Sequence, residues 1–222
     1  CFCATVGNTL FSGAEIFCSG NCNKRIERLE NIARKTRLVK MTVENRGSIN
    51  NTDREEYFYQ NPILHADYSD PDVIRDGDDF YMVASSFTYL PGVPLLHSKD
   101  LVHWELINYC VERLPFSRYD QPAHGCGCWA PSIRKHGEMF YVFIPLPDEG
   151  IFIATAKDPY GKWSLHCLKE SYGWIDPCPF WDEDGKTYMV FAYAKSRCGI
   201  KHRLSICEIS SDVTKILTEP VT

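Results

Sequence analysis

From Asn61 onward, short apolar runs rich in Val, Ile, Tyr and Phe alternate with Gly, Pro and Asp clusters, a pattern that predicts strands joined by tight turns. The pattern repeats. A first unit reads DPDVIRDGDDFYMVASSF (Asp70–Phe87) and PGVPLLHSKDLVHWELI (Pro91–Ile107), and a second reads APSIRKHGEMFYVFI (Ala130–Ile144) and GIFIATAKDPYGKWSLHCL (Gly150–Leu168). Pro71 and Pro131, Gly77 and Gly137, and Tyr81 and Tyr141 each stand 60 residues apart, while Trp104 and Trp163 stand 59 apart. A third unit follows at shorter spacing as DPCPFWDEDGKTYMVFAY (Asp176–Tyr193) and LSICEI (Leu204–Ile209). Each unit predicts strand, Gly turn, strand, loop, strand, turn, strand. Four-stranded units at such a period are the pattern of β-propeller blades. A β-sandwich is the alternative, but it has no reason to repeat the same Pro, Gly, Tyr and Trp in step.

Ahead of the repeat the pattern changes. Ile26, Leu29, Ile32 and Ala33 fall at helical spacing and predict one short amphipathic helix. Residues 1–40 carry seven Lys/Arg against three Glu, a net of +4, which leaves −9 for residues 41–222. Residues 1–58 are therefore expected to be an N-terminal extension outside the propeller, helical in part or not native. A translation start at Met41 would leave a short polar leader with no secretory signal, which favours a cytoplasmic location. The pairs Cys1/Cys3 and Cys18/Cys22 lack a nearby His and match no zinc-finger spacing.

Composition narrows the function classes. The 222 residues are 44% hydrophobic, 24% charged and 13% aromatic, which excludes disordered, collagenous and coiled-coil readings. No run approaches the roughly 20 apolar residues of a membrane helix. A net charge of −5 argues against a nucleic-acid partner, since phosphate is bound by a basic face. The odd total of 11 Cys, many in strand-like runs, points to reduced buried thiols more than to a disulfide framework.

Candidate chemistry lies where the units open. The first residues of each innermost strand line a propeller's axis, and two openings are Asp-Pro, at Asp70-Pro71 and Asp176-Pro177, while the second unit has Trp129-Ala130-Pro131. Proline after each Asp is expected to fix an extended backbone that aims the carboxylate, although Asp-Pro can also simply start a strand or turn. His65, His97, His103, His124 and His136 form no metal-ligand spacing. Asp76–Asp79 and Asp182–Gly185 resemble calcium loops in composition only and read as hairpin turns, and Cys126-Gly127-Cys128 reads as a loop beside the pocket.

The segments NPILHADYSDPDVIR, SSFTYLPGVPLLHSKDLVHW, GCWAPSIR and IDPCPFWDEDGKTYMV resemble the opening blades of glycoside hydrolase family 43. The resemblance covers residues 59–222. It implies a five-bladed β-propeller of which this chain supplies about the first three blades, truncated before the ring closes. It also implies an O-glycosyl hydrolase of the β-xylosidase or α-L-arabinofuranosidase type, acting on terminal pentoses of plant oligosaccharides or polysaccharides. Asp70 falls on the family's general base and Asp176 on the carboxylate that orients the general acid and raises its pKa. Phe87 and Trp129 fall on aromatic positions around the terminal sugar, with core packing as the alternative for both rings. The implied chemistry is single displacement with inversion: an acid protonates the leaving oxygen while a carboxylate roughly 6.5–9.5 Å away activates water. That step needs no metal or organic cofactor. The family's acid is a Glu in a Glu-Gly-Pro segment, and the Glu219-Pro220 pair lacks the Gly, so Glu219 is not assigned to it. The polypeptide alone is therefore expected to be inactive and poorly stable. A non-catalytic sugar-binding propeller and a retaining fructan hydrolase are the other two readings.

Overall fold

The computed structural model describes residues 38–42 and 56–222. The expected helix at 26–33 and the four leading cysteines lie outside them. The chain divides into two compact units, one ending at Ala66 and the other running from Asp67 to Thr222. In the former, β1 (Leu38–Thr42) and β2 (Glu56–Gln60) pair antiparallel, with Met41 opposite Tyr57. The composition break at Met41 thus falls inside a strand.

The second unit is built of three consecutive antiparallel sheets. The first contains β3 (Asp72–Asp76), β4 (Asp79–Val83), β5 (Gly92–Ser98) and β6 (Glu105–Val111), in sequence order across the sheet. The second repeats that plan with β7 (Ser132–His136), β8 (Met139–Leu146), β9 (Gly150–Ala156) and β10 (Ser164–Glu170). The third has β11 (Trp174–Trp181), β12 (Thr187–Tyr193) and β13 (Leu204–Ile209). Its expected fourth strand does not form as a continuous ladder. Instead the chain returns along β13 through bridges at Ile209 with Ile216 and Ile206 with Val221, and Glu219 lies exposed on this outer segment.

Alternation along the middle strands explains why their sequences are almost continuously apolar. In β8 and β9, Phe140, Val142, Ile144, Phe152 and Ala154 join a core shared with Tyr81, Val83 and Leu95 of the first sheet. Their neighbours Phe143, Ile151 and Ile153 point the other way and pack with Met189, Phe191 and Ile209 of the third sheet. A sheet buried on both faces needs apolar residues in both registers of the period-two pattern. Trp174 stacks on Phe191 with centroids 3.9 Å apart, extending the second core.

The repeated residues divide into those that turn the chain and those that hold the turns. Gly77, Gly137 and Gly185 take φ of 61°, 58° and 82°, and a Cβ at any of them would meet nothing within 4 Å, so their requirement is conformational and not steric. Trp104 and Trp163 donate their indole N–H groups to Leu101 and Pro159, carbonyls of the turn before the fourth strand in each sheet. The side chains of Asp100 and Asp158 close those turns by accepting backbone N–H groups two residues on. The repeated tryptophans are thus structural. The acidic turns are hairpin connections as expected, with Asp79 held by His97 and Lys99 and Asp182 accepting from the Gly185 amide.

Candidate active site

The innermost strands β3, β7 and β11 begin at one end of the unit, and their openings line a cavity of about 220 Å³. Its walls include Asp70, Pro71, Asp72, Ala130, Ser132, Arg134, Asp176 and Cys178. The two Asp-Pro carboxylates, 106 residues apart in the chain, therefore meet in one space.

The backbone that aims them differs from the expected one. Asp70 has φ of 49° and Asp176 has φ of 52°, so both are left-handed, not extended. That conformation costs an L-residue about 1–2 kcal/mol, and Asp tolerates it better than most. Its occurrence at the same point of two sheets marks the local geometry as a feature of the opening. The proline preference was overridden by surrounding contacts: the Ser85 amide donates to the Ser69 carbonyl at 2.9 Å, and the Ser85 hydroxyl donates to Asp70 Oδ2 at 2.8 Å. Ser85 is buried, so this donor is fixed.

Asp176 is a solvent-exposed residue on the cavity wall, and its pKa is shifted even so. Burial first, and then the negative charge of Asp70, push its pKa above the ordinary carboxylate value. Asp72, two residues after Asp70, is differently placed. Its Oδ2 accepts from the Ile133 amide at 2.9 Å and pairs with the Arg134 guanidinium. Arg134 also donates to Cys178 Sγ at 3.0 Å, so one guanidinium spans β3, β7 and β11 beneath the two carboxylates. Burial works against its charge, but Asp72 and Cys178 together outweigh that and raise its pKa. Sequence reading missed Arg134, although a signal exists: it occupies the repeat position where the first unit has Ile74.

Phe87 and Trp129 form a second cluster beside this cavity; neither is among the residues lining it. Both rings are half-buried and meet edge to face, with centroids 5.8 Å apart and planes at 70°. Their backbones are locked by a short bridge in which Ser86 and Cys128 exchange N–H···O bonds at 2.9 and 3.0 Å and the Gly127 amide donates to Phe87 at 2.7 Å. The strands approach so closely that a Cβ on Gly127 would lie 2.1 Å from the Ser86 carbonyl oxygen. Gly127→Ala is accordingly expected to lower stability by about 1–3 kcal/mol, as overpacking does, measured as a drop in the urea midpoint at unchanged m-value. An unchanged midpoint would mean the two loops are not held together as described. Cys128 is a buried thiol whose pKa is pushed up to about 12 by burial, which suits packing and not thiolate chemistry.

Consecutive antiparallel sheets packed face to face, two of four strands and one of three, with two carboxylates sharing a cavity at their inner strands, are the arrangement of a β-propeller. The chain belongs to the glycosyl hydrolases family 43, whose family model matches residues 59–222. It is 46% identical over 136 residues to a xylosidase/arabinosidase of Butyrivibrio fibrisolvens, an alignment covering 59% of this chain and 26% of that protein. Over 141 residues it is 41% identical to a non-reducing end alpha-L-arabinofuranosidase of Bacteroides ovatus, covering 60% of this chain and 26% of the relative. Among solved structures, the family 43 protein of Bacillus licheniformis superposes with a TM-score of 0.63 at 32% identity, covering 73% of this chain and 32% of that one. The chain thus spans about a quarter to a third of the length of these relatives.

Proposed function

We propose that this chain is part of a glycosidase that removes terminal pentose residues, xylose or arabinofuranose, from oligosaccharides or polysaccharides with inversion of configuration. The observation that carries the reading is the pair Asp70 and Asp176, the first just ahead of β3 and the second at the register shift within β11, each before a proline, with the same left-handed backbone and sharing one cavity. The names of the relatives, xylosidase/arabinosidase and arabinofuranosidase, support the pentose.

In this scheme Asp70 is the general base. It would take a proton from water as that water attacks the anomeric carbon, and the Ser85 hydroxyl holds the carboxylate in one orientation. Asp176 supplies negative charge near the group that protonates the leaving oxygen, which keeps that group protonated to higher pH. Asp72 is already paired with Arg134, so among the described residues lining the cavity no third carboxyl is left to serve as proton donor. The donor in this scheme comes from elsewhere in the protein. Phe87 and Trp129 offer ring faces to the C–H faces of the terminal sugar.

The test is stereochemical. Full-length protein carrying this sequence is mixed with an aryl β-D-xylopyranoside or an aryl α-L-arabinofuranoside, and the anomeric protons of the released sugar are followed by NMR before mutarotation. The expected first product is α-xylose from the former or β-arabinose from the latter. Retained configuration would replace the base with a nucleophile, as in the fructan hydrolase reading, and no release from either substrate would sink the pentosidase proposal.

A further inference from the structure

The helical turn Lys195–Cys198, in the connection from β12 to β13, reaches across to the mouth of the second sheet. It is firmly seated. The Ala194 amide donates to Gly173 at 2.8 Å, the Gly173 amide donates to Pro147 at 2.7 Å, and a Cβ on Gly173 would lie 2.8 Å from Cys198. From this turn Arg197 extends over Trp129, with its guanidinium carbon 4.9 Å from the centroid of the indole.

Four contacts hold that guanidinium, one of them from Nη1 to the hydroxyl of the adjacent Ser196 at 3.1 Å. Nε lies 3.1 Å from Asp148 Oδ1, Nη2 lies 3.5 Å from Asp148 Oδ2, and Nη2 also donates to the Gly125 carbonyl at 3.3 Å. The same Gly125 carbonyl accepts the Trp129 indole N–H at 3.0 Å. One backbone oxygen therefore ties the edge of the ring and the cation over its face. Asp148 is in turn shared with Arg118 at 3.2 Å, and Arg118 pairs with Glu149, so the anchor is itself braced. A solvent-exposed arginine without partners would gain little from such a position. Here the guanidinium is largely buried, planar and doubly tethered, which gives it a single orientation relative to the ring.

We infer that Arg197 is a positioning residue that sets the plane of the Trp129 indole, so that the ring forms a wall for the terminal sugar. The inference rests on the proposed pentosidase function for its second half. Its first half concerns only this chain's own geometry. Lysine cannot replace arginine here, because an ammonium has neither the flat fork that spans Asp148 and Gly125 nor the same match to an indole face.

The experiment uses full-length protein labelled with 5-fluorotryptophan, with the Trp129 fluorine line assigned by its loss in Trp129→Phe. Arg197→Met keeps the stem and removes the guanidinium, Arg197→Lys keeps only charge, and Asp148→Asn loosens the anchor without touching the ring. The expected result is that the Trp129 line moves or broadens in all three, most in Arg197→Met. KM for the aryl pentoside is then expected to rise about tenfold in Arg197→Met with kcat changed less than about threefold, the split that lost substrate binding produces. A Trp129 line that stays in place in folded Arg197→Met, or in Asp148→Asn should the former fail to fold, overturns the inference whatever the activity. A line that moves while KM stays at the wild-type value in both Arg197→Met and Trp129→Phe overturns the sugar-wall role and places the fault in the pocket assignment instead.

Discussion

Replacing Asp70 by Asn is expected, on the proposed pentosidase function, to reduce kcat by roughly 10²–10⁴-fold, the range for removing a general base, while leaving the fold and sugar binding in place. Asn is the right first substitution. Asp70 is held at φ 49°, and Asn is an uncharged, nearly isosteric residue that tolerates the left-handed region and can still accept the Ser85 hydroxyl. Asp70→Ala removes the same base but is expected to be less stable by about 1–2 kcal/mol, because alanine pays the full left-handed penalty and Ser85 is left buried without its acceptor. Comparing the two variants separates chemistry from folding. If the assignment is right, both lose turnover to a similar extent and only Ala loses thermal stability. Wild-type kcat in Asp70→Asn would end the base assignment, whatever its stability.

The repeat of Pro, Gly, Tyr and Trp made the sheets legible, because turn chemistry and strand alternation are local and recur in each unit. The third unit departs from that symmetry. Its last strand was expected from symmetry, but Pro220 removes a donor and the Thr218 and Leu217 amides both converge on Glu208, so the ladder breaks into bridges. The carboxylates at the strand openings were also legible as residues, but not as a conformation. Local rules place the residue before proline in extended backbone, whereas the left-handed turn at Asp70 is accompanied by hydrogen bonds from Ser85, 15 residues away, that no local rule contains. Arg134 and Arg197 stayed hidden for the same reason. Each acts on partners 44 to 72 residues away in the chain, on other sheets, and no short motif carries such a pairing.

Asp176→Asn is expected to cost activity and add stability at the same time. In the folded protein, burial and the charge of Asp70 raise the Asp176 pKa, so the fold binds that proton more tightly than the unfolded chain does. Such a group contributes stability that is fully present below its unfolded pKa, near 3.8, and is lost as pH rises through the raised folded value. At about pH 7 the wild type therefore carries a carboxylate that is solvent-exposed yet repelled by Asp70, and the amide relieves that repulsion, so the Tm of Asp176→Asn should exceed that of the wild type by a margin that solvent screening keeps small. Near pH 3 both forms are neutral at this position and the difference should vanish. Activity moves oppositely. Without the second negative charge in the cavity the proton donor loses its proton more readily, so the basic limb of kcat against pH should shift to lower pH, with kcat at neutral pH down by about 10²-fold. A variant whose basic limb stays in place would remove the modulator role from Asp176. A Tm at neutral pH equal to or below that of the wild type would instead mean that Asp176 holds a structural partner that offsets the repulsion from Asp70.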